Sequence, residues 1–451
     1  MLLHKYYHKQ VGRTFRFLIP SHKKILLLGS LDGSLLKQLS PMVGVGIEPD
    51  SKLCGLSQKK FPSFSFYNHD FHKFNVEGEF DYIILNGALG KTSDICQLLN
   101  RLQKNCHAST RLLIYQHNHL WQLLLSLAER FKLKRQEGIN NWLSVSDVAT
   151  YLKAAGFEQT RIFRRNLFPL FLGGLGKLVN DIAIAIPFFD RLKLDQYILA
   201  RPQNNLIIRY PKSPSLTICL TVRDEEKNIE MITKALPQVC TDQEIIFVEG
   251  NSHDQTRLEI KRMIKKYPGK NIRLIIQPGK GQGDAIRTGF KKAMGDIIIL
   301  YEGDGTSDPS DLKYVYQTMK KGYFEFIEGS RFVYPLNSQI MPIINQLGNI
   351  FFARWFSFFL NQRTTDVLSG IKAINRQDYQ QVFDYWDTLP ITDPFGDFNL
   401  LYGAARMGLQ FGEVPIKYYP RVHGKSKTKP FYHGTYLLRM ALHGYNIFRS
   451  Y

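Results

Sequence analysis

Short apolar runs alternate with helical segments in two separate series along the 451-residue chain. In the first series, KILLLGS (24–30) leads into a helical period, and VGVGIEPD and FDYIILN are further apolar runs. In the second series, SLTICLTV, EIIFVEG, IRLIIQ and GDIIILYEG repeat the arrangement. Strands that alternate with helices predict an α/β fold in which each series forms a doubly wound parallel sheet, with ligands beyond the carboxyl ends of the strands.

A polar stretch that contains three prolines, RPQNNLIIRYPKSPS (201–215), separates the two series. Prolines and polar residues at this spacing interrupt regular structure. We therefore predict a Rossmann-like domain over residues 1–203, a linker over 204–214, a second α/β domain over 215–430, and an amphipathic segment over 431–451.

Basic residues outnumber acidic ones, with 59 Lys and Arg against 39 Asp and Glu, which gives a net charge of +20. The 44% of hydrophobic residues excludes a disordered polycation. A diffuse positive charge favours polyanionic neighbours, such as an anionic membrane surface, nucleotide phosphates or nucleic acid. No helix-turn-helix, zinc-finger or RNP-like pattern accompanies the charge, so we expect no nucleic-acid partner.

The five cysteines show no C-x-x-C spacing, and the first residues show no apolar core of a secretion signal. We expect a cytoplasmic protein without a transmembrane span. The aromatic segment 342–363 has two interpretations, a buried helix or a helix half-sunk in a membrane interface. The second interpretation predicts peripheral attachment to the cytosolic face of an anionic membrane, with Trp355, Phe358 and Phe359 inserted.

Acidic and glycine clusters follow four strands of the second series: VRDEEKN, VEGNSHDQT, PGKGQGDAIRTGF and YEGDGTSDP. Taken alone, each cluster could be a helix cap or a turn. Glu302 and Asp304, one residue apart at the end of a buried strand, can reach one hard divalent cation such as Mg²⁺ or Mn²⁺. Such a cation suits a nucleotide diphosphate, whose leaving charge it neutralises.

Together with GSRF (329–332), TDVLSGIKAINR (365–376) and EVPIKYYPRVHGKSK (413–427), these clusters resemble family 2 glycosyltransferases, in particular the dolichol-phosphate mannose synthase-like group. The resemblance covers about residues 215–430. It implies transfer of a sugar from a UDP- or GDP-sugar to a lipid-phosphate acceptor.

The same resemblance implies the site residues. For the nucleotide-sugar they are Glu225, Glu249, Asp254, Lys280, Asp284, Arg287, Asp304, Arg421 and Lys427. For the metal they are Glu302 and Asp304, and for catalysis Asp397, Asn399, Asp366 and Arg331.

Two departures from the family pattern bear on donor and acceptor. Gly250 stands where many relatives have a second Asp, which leaves the nucleobase contact to Glu249 and the donor open. Asn399 stands where relatives commonly carry a carboxylate, and an amide cannot take a proton from a hydroxyl. Asp397 would substitute for it on the same face if the segment is extended, whereas an acceptor that is already a phosphate anion needs no strong base.

Residues 24–200 resemble class I methyltransferases that use S-adenosylmethionine. The resemblance implies that Gly29, Gly33, Glu48, Asp70 and Asn86 line the cofactor pocket. The first motif departs from the family, because Leu27 replaces its acid and Leu31 its middle glycine. A leucine adopts positive φ only at a cost. Retained cofactor binding and a degenerate domain kept for folding or docking both remain open.

Three functions of different class fit these patterns. The first is a glycosyltransferase at the membrane surface, with or without a second, S-adenosylmethionine-dependent methyltransferase activity. The second is a methyltransferase whose other domain only binds sugar nucleotide. The third is a catalytically dead basic protein that binds membrane or nucleic acid.

Overall fold

The computed structural model describes residues 2–130, 141–170, 172–203, 210–336, 340–386, 395–424 and 430–449. The chain divides into two compact units. The N-terminal unit comprises residues 1–207 with 449–451, and the C-terminal unit comprises residues 208–448.

The N-terminal unit has a seven-stranded sheet in the order β3-β2-β1-β4-β5-β7-β6. The pairs from β3 to β5 are parallel, whereas β7 runs antiparallel to both β5 and β6. Its strands are β1 (Lys24–Leu28), β2 (Val43–Ile47), β3 (Ser65–Tyr67), β4 (Phe80–Asn86), β5 (Cys106–His117), β6 (Phe157–Arg165) and β7 (Asp195–Pro202). Its helices are α1 (Leu2–Leu18), α2 (Ser34–Leu39), α3 (Ser51–Lys60), α4 (Ala88–Lys91), α5 (Ile95–Leu102), α6 (Gln122–Arg130), α7 (Val145–Ala154) and α8 (Leu175–Ala185).

The C-terminal unit has a second seven-stranded sheet in the order β10-β9-β8-β11-β13-β12-β14. The strand β13 is antiparallel to β11 and β12, and the other pairs are parallel. Its strands are β8 (Leu216–Val222), β9 (Gln243–Glu249), β10 (Asn271–Ile276), β11 (Ile297–Glu302), β12 (Phe326–Ser330), β13 (Lys372–Asn375) and β14 (Phe411–Pro415). Its helices are α9 (Glu226–Ala235), α10 (Thr256–Lys266), α11 (Gln282–Lys292), α12 (Leu312–Lys320), α13 (Ile343–Leu360), α14 (Arg376–Trp386), α15 (Asp397–Arg406) and α16 (Pro430–Arg449).

The predicted α/β class is confirmed for both units, but each sheet is mixed rather than wholly parallel. The reversed strands β7 and β13 lie beyond the strands that carry the clearest apolar runs. Central strands such as β1 and β11 are buried on both faces, which explains their continuous apolar sequences. Sequence patterns of that kind locate a strand without giving its direction.

The aromatic segment forms the helix α13, whose two halves lie in different surroundings. Its last turns are core, because Phe356, Phe359 and Leu360 are fully buried, and Phe359 packs on the rings of Phe356 and Tyr402. Its first turns expose Ile344 (68%), together with Ile343, Leu347, Ile350 and Phe351. The insertion of Phe359 into a membrane, expected from the sequence, is therefore wrong. The exposed apolar residues of this helix lie about two to four turns earlier.

None of the helices in the described ranges is long and apolar enough to cross a membrane.

Candidate active site

Strands β8, β9 and β11 of the C-terminal unit end at one edge of the sheet, and a cavity of about 300 Å³ opens there. Parallel strands bring the loops after them together at this edge. The cavity lining combines carboxylates, glycines and one guanidinium: Thr221, Val222, Arg223, Glu225, Gly250, Gln277, Gly281, Gln282, Ala285, Glu302, Gly303, Asp304 and Arg421.

Glu302 ends β11 and is held between its neighbours. The amide of Gln282 donates to its Oε1 at 2.8 Å. A Cβ at Gly370 would lie 2.3 Å from its carboxyl carbon, so the glycine of TDVLSGIK is needed for this close approach. Burial, with the nearby charges of Asp304 and Asp397, raises the pKa of Glu302 to about 7. A bound cation would favour the charged carboxylate.

Arg421 pairs with two carboxylates of the cavity lining. Its Nη2 donates to Asp304 Oδ2 at 2.6 Å, and its Nη1 donates to Glu225 Oε1 at 2.9 Å. The other oxygen of Asp304 accepts from the backbone and the hydroxyl of Thr306. Glu225 Oε2 accepts from the amide of Asn228 at 2.6 Å.

The carboxylates of Glu302 and Asp304 are suited to a hard cation but do not complete a site for one. No group of three or more His, Cys, Asp or Glu side chains that could hold a metal occurs in the described ranges. Two carboxylates fit a cation whose remaining ligands come from a bound diphosphate and water, as is usual for Mg²⁺. Asp304 would first have to release Arg421 before it could bind such a cation.

Glu249 and Asp254 lie beside the cavity and hold its wall together. Glu249 accepts from the backbone of Ser252 at 2.5 Å and from Arg257 at 2.7 Å. Asp254 accepts from Thr256 and from the backbone of Glu226 at 3.2 Å. The geometry therefore gives both carboxylates a loop-fixing contact, and their assignment to the donor stays a prediction.

The glycine-rich loop turns at Gly281, where φ is +87°, just before α11. Asp284 Oδ2 accepts from the backbone of Gly279 at 2.7 Å and so fixes this loop. Lys280 is exposed at its tip. The guanidinium of Arg287 lies 5.0 Å from the ring of Phe383, outside the cavity lining. Lys427 lies outside the described residues.

Arg331 and Asp366 form a buried bidentate pair. Nε and Nη2 of Arg331 donate to the two carboxylate oxygens at 2.6 and 2.7 Å, and the ring of Tyr418 lies 5.0 Å from the guanidinium. Fork geometry of this kind is strong and fixes both side chains. Both carboxylate oxygens of Asp366 are consequently engaged by Arg331.

Asp397 and Asn399 start the helix α15, so the extended geometry considered from the sequence is wrong. Residues two apart on a helix do not face the same side, and both side chains are buried. Asp397 lies 3.5 Å from the ammonium of Lys372, which is fully buried and donates to the carbonyl of Ser369 at 2.7 Å. Sequence reasoning missed Lys372, although it stands within TDVLSGIKAINR.

The predicted cofactor residues of the N-terminal unit meet at the carboxyl ends of β1, β2 and β4. Gly29 and Gly33 have φ of +83° and +76°, and Leu31 adopts +51°. The backbone N–H of Leu31 donates to Glu48 Oε2 at 2.7 Å, and Asn86 donates to the carbonyl of Gly29 at 2.9 Å. The turn therefore forms in spite of Leu31.

Asp70 is exposed near Lys73, and its side chain makes no contact with that turn in the described structure. Leu27 is fully buried and offers no carboxylate. The residues present fit the adenosine half of a nucleoside cofactor better than its amino-acid half.

Comparison with known proteins agrees with the two resemblances. Residues 217–383 match the family model "Glycosyl transferase family 2", and residues 3–162 match the model "Methyltransferase domain". The expectation of a methyltransferase domain followed by a family 2 glycosyltransferase domain is confirmed.

Three curated relatives are glycosyltransferases that are similar to part of this chain. "Glycosyltransferase AglJ" of Haloferax volcanii is 27% identical over 182 residues, which is 40% of this chain and 55% of that protein. "Dolichyl-phosphate hexose transferase" of the same organism is 27% identical over 218 residues, 48% of this chain and 87% of that protein. "UDP-N-acetylglucosamine--dolichyl-phosphate N-acetylglucosaminyltransferase" of Methanococcus voltae is 27% identical, over 43% and 81% of the two chains.

Among solved structures, glucosyl-3-phosphoglycerate synthase of Mycobacterium tuberculosis, solved with Mn²⁺ and UDP, is 14% identical with a TM-score of 0.38. The match covers 52% of this chain and 80% of the synthase chain.

The contact between Arg421 and Asp304 predicts competition with a metal ion. Arg421→Ala should strengthen Mn²⁺ binding to the nucleotide-free protein about tenfold, the factor that corresponds to about 1.4 kcal/mol. Titration followed by electron paramagnetic resonance measures the free Mn²⁺. Lys417→Ala is the control, because Lys417 pairs with Asp308 in the same region and should leave the affinity unchanged. Unaltered Mn²⁺ binding in Arg421→Ala would contradict the competition.

Proposed function

We propose that the C-terminal unit transfers a sugar from a UDP- or GDP-sugar to a lipid phosphate of the polyprenyl class. The observation that carries this proposal is the cavity at the carboxyl edge of the sheet, where Asp304 and Glu225 pair with Arg421 and Glu302 lines the same space. Two relatives whose names state transfer to dolichyl phosphate support the acceptor class.

In this reaction an oxygen of the acceptor phosphate attacks the anomeric carbon of the sugar. The bond from that carbon to the diphosphate oxygen breaks, and the nucleoside diphosphate leaves with the electron pair. Arg421 can bind the diphosphate once Arg421 has released Asp304, because the geometry of a guanidinium matches phosphate oxygens. A Mg²⁺ or Mn²⁺ ion held by Asp304 and Glu302 would neutralise charge on the leaving group.

The state of the nearby carboxylates favours a phosphate over a hydroxyl as acceptor. A hydroxyl must lose a proton to a base, but Asp366 is bound to Arg331 and Asp397 lies beside Lys372. Asn399 cannot accept that proton. An acceptor that is already an anion needs none of them.

The transfer is tested with labelled UDP- and GDP-sugars, polyprenyl phosphate in detergent, and added Mg²⁺ or Mn²⁺. We expect a lipid-linked sugar product and a loss of two or more orders of magnitude in Asp304→Asn, because the variant removes a charged oxygen ligand. Asp308→Asn is the matched control, since Asp308 lies in the same loop but outside the cavity lining. An active Asp304→Asn variant would refute the metal assignment, and an inactive wild type would favour a binding protein.

We also propose that this unit is a peripheral protein of the cytosolic membrane face, attached through the first turns of α13. Ile343, Ile344, Leu347 and Phe351 are each more than half exposed there. The free cysteines support a reducing compartment.

Sedimentation with anionic vesicles tests this attachment. Ile344→Ser with Leu347→Ser and Phe351→Ser should lower vesicle binding without a change in thermal stability, because exposed residues tolerate polar substitution. Leu258→Ser, a change of an exposed leucine on α10, is the control. Phe359→Ser should instead destabilise the fold by about 3–5 kcal/mol, as loss of a buried ring does. Unaltered vesicle binding in the triple variant would exclude α13 as the attachment.

For the N-terminal unit we propose binding of S-adenosylmethionine through the glycine turn and Glu48. Affinity should be weak, since Leu27 supplies no acid for the amino group of the cofactor. Calorimetry with S-adenosylmethionine and with adenosine is the measurement, and both ligands should bind with similar affinity. Glu48→Gln should weaken both, whereas Asp50→Asn, which keeps an oxygen that caps α3, should weaken neither. No heat with either ligand would identify a degenerate domain.

A further inference from the structure

Helix α6 exposes leucines along its whole length. Leu123 is 79% exposed, and Leu124 and Leu127 are about half exposed. None of the residues described in this helix is buried. Apolar side chains stabilise a fold when they are buried, so a short helix of this composition is not stabilised by its own core contacts.

A second exposed apolar segment is α8 with the 3₁₀-helix Pro187–Leu192 that follows it. Leu175, Leu178 and Ile182 are exposed and are spaced by three and four residues along α8, so they share one face of the helix. Exposed Ile186 follows the last helical residue. Phe188, in the 3₁₀-helix, is 74% exposed. The stripe therefore continues past the end of α8.

Hydrogen bonds hold the two segments together. Asn118, just before α6, donates through Nδ2 to the carbonyls of Arg191 and Lys193 at 2.8 and 2.9 Å. Trp121 Nε1 donates to the carbonyl of Leu192 at 2.7 Å. The start of α6 and the end of the 3₁₀-helix are therefore neighbours. We call the exposed apolar side chains of these two neighbouring segments, Leu123, Leu124, Leu127, Leu178, Ile182 and Phe188, the leucine patch.

The leucine patch belongs to the carboxyl edge of the N-terminal sheet. His117, the last residue of β5, pairs with Asp195, the first residue of β7. Helix α6 follows β5, and α8 with its 3₁₀-helix precedes β7, so both segments connect to the sheet at that edge. Ligands of doubly wound sheets bind at this edge.

We propose that the leucine patch is a membrane-binding surface of the N-terminal unit, which takes an anionic lipid bilayer. The proposal goes beyond the attachment through α13, because it gives the other unit a contact of its own.

The charge around the patch favours a bilayer over a second copy of the chain. Lys177, Arg191 and Arg130 are exposed beside the apolar residues, against the exposed acid Asp181. Residues 1–203 contain 27 basic and 15 acidic side chains. A second copy would bring the same positive charge to the interface, whereas an anionic lipid surface attracts each nearby Lys or Arg.

The shape of α6 points the same way. A protein partner needs a recess that matches the projecting helix on several sides, because protein interfaces are packed as densely as interiors. A fluid lipid interface accommodates an amphipathic helix without such a recess, with the apolar face among the acyl chains and the cations at the headgroups.

The test compares vesicle binding of the full chain and of variants. Vesicles of phosphatidylcholine with about a third of phosphatidylglycerol provide the anionic surface. Leu123→Ser with Leu124→Ser and Phe188→Ser should lower the partition coefficient about tenfold. Leu56→Ser on α3, which changes a leucine that is 49% exposed in the same unit, should not. The same loss should recur in a chain that already carries the α13 substitutions, which separates this surface from the attachment through α13.

A second measurement reports contact directly. Tryptophan fluorescence of Leu123→Trp should be quenched by brominated phosphatidylcholine more than that of wild type, whereas Leu56→Trp should match wild type. Equal quenching in the two tryptophan variants, or unaltered partition of the triple variant, would overturn the proposal.

Two further outcomes would also overturn it. A fall in the melting temperature of the triple variant would mean that the patch belongs to the core. A wild-type dimer in light scattering that becomes monomeric in the triple variant would assign the patch to contact between two copies.

Discussion

Buried negative charge at the carboxyl edge of the C-terminal sheet is the constraint on which this site depends. A carboxylate removed from water needs a partner cation, and loss of that partner costs several kcal/mol. The chain provides such partners one by one: Arg421 for Asp304, Arg331 for Asp366, Lys372 for Asp397 and Arg257 for Glu249. Because each pair joins different segments, neutralising the acids also fixes the loops around the cavity.

The pairs differ in how easily they can open. Arg331 and Asp366 are both buried, and two parallel hydrogen bonds join them, so separating them would strand two charges. Arg421 and Asp304 are partly exposed and line the cavity. Water or an incoming anion can replace one partner there at much smaller cost. The pair that can exchange partners, Arg421 with Asp304, is therefore the one that lines the cavity.

The sequence predicts the elements of this site well and their contacts poorly. Apolar runs that end in acid or glycine locate β8 to β11 and the cavity edge, because burial on both faces requires such runs. The partner of an acid depends on contacts between distant segments, so Lys372 escaped notice and the pairing of Asp366 was not foreseen. For α13, periodicity identified the helix, but only packing separates buried Phe359 from exposed Phe351. The turn at Leu31 is the opposite case, since the surrounding strands impose a φ that the residue alone disfavours.

The reversed strand β13 has a consequence for how the two sides of the site can vary. Its neighbours β11 and β12 arrive at the ligand edge with their carboxyl ends, whereas β13 leaves that edge with its amino end. The segment that places Gly370 against Glu302 therefore precedes its strand, next to α13, while the cavity loops with Glu225, Gly281 and Asp304 all follow theirs. Insertions between α13 and β13 can accordingly change the packing behind Glu302 while the loops that line the cavity keep their anchors, so this flank of the site can vary separately on one scaffold.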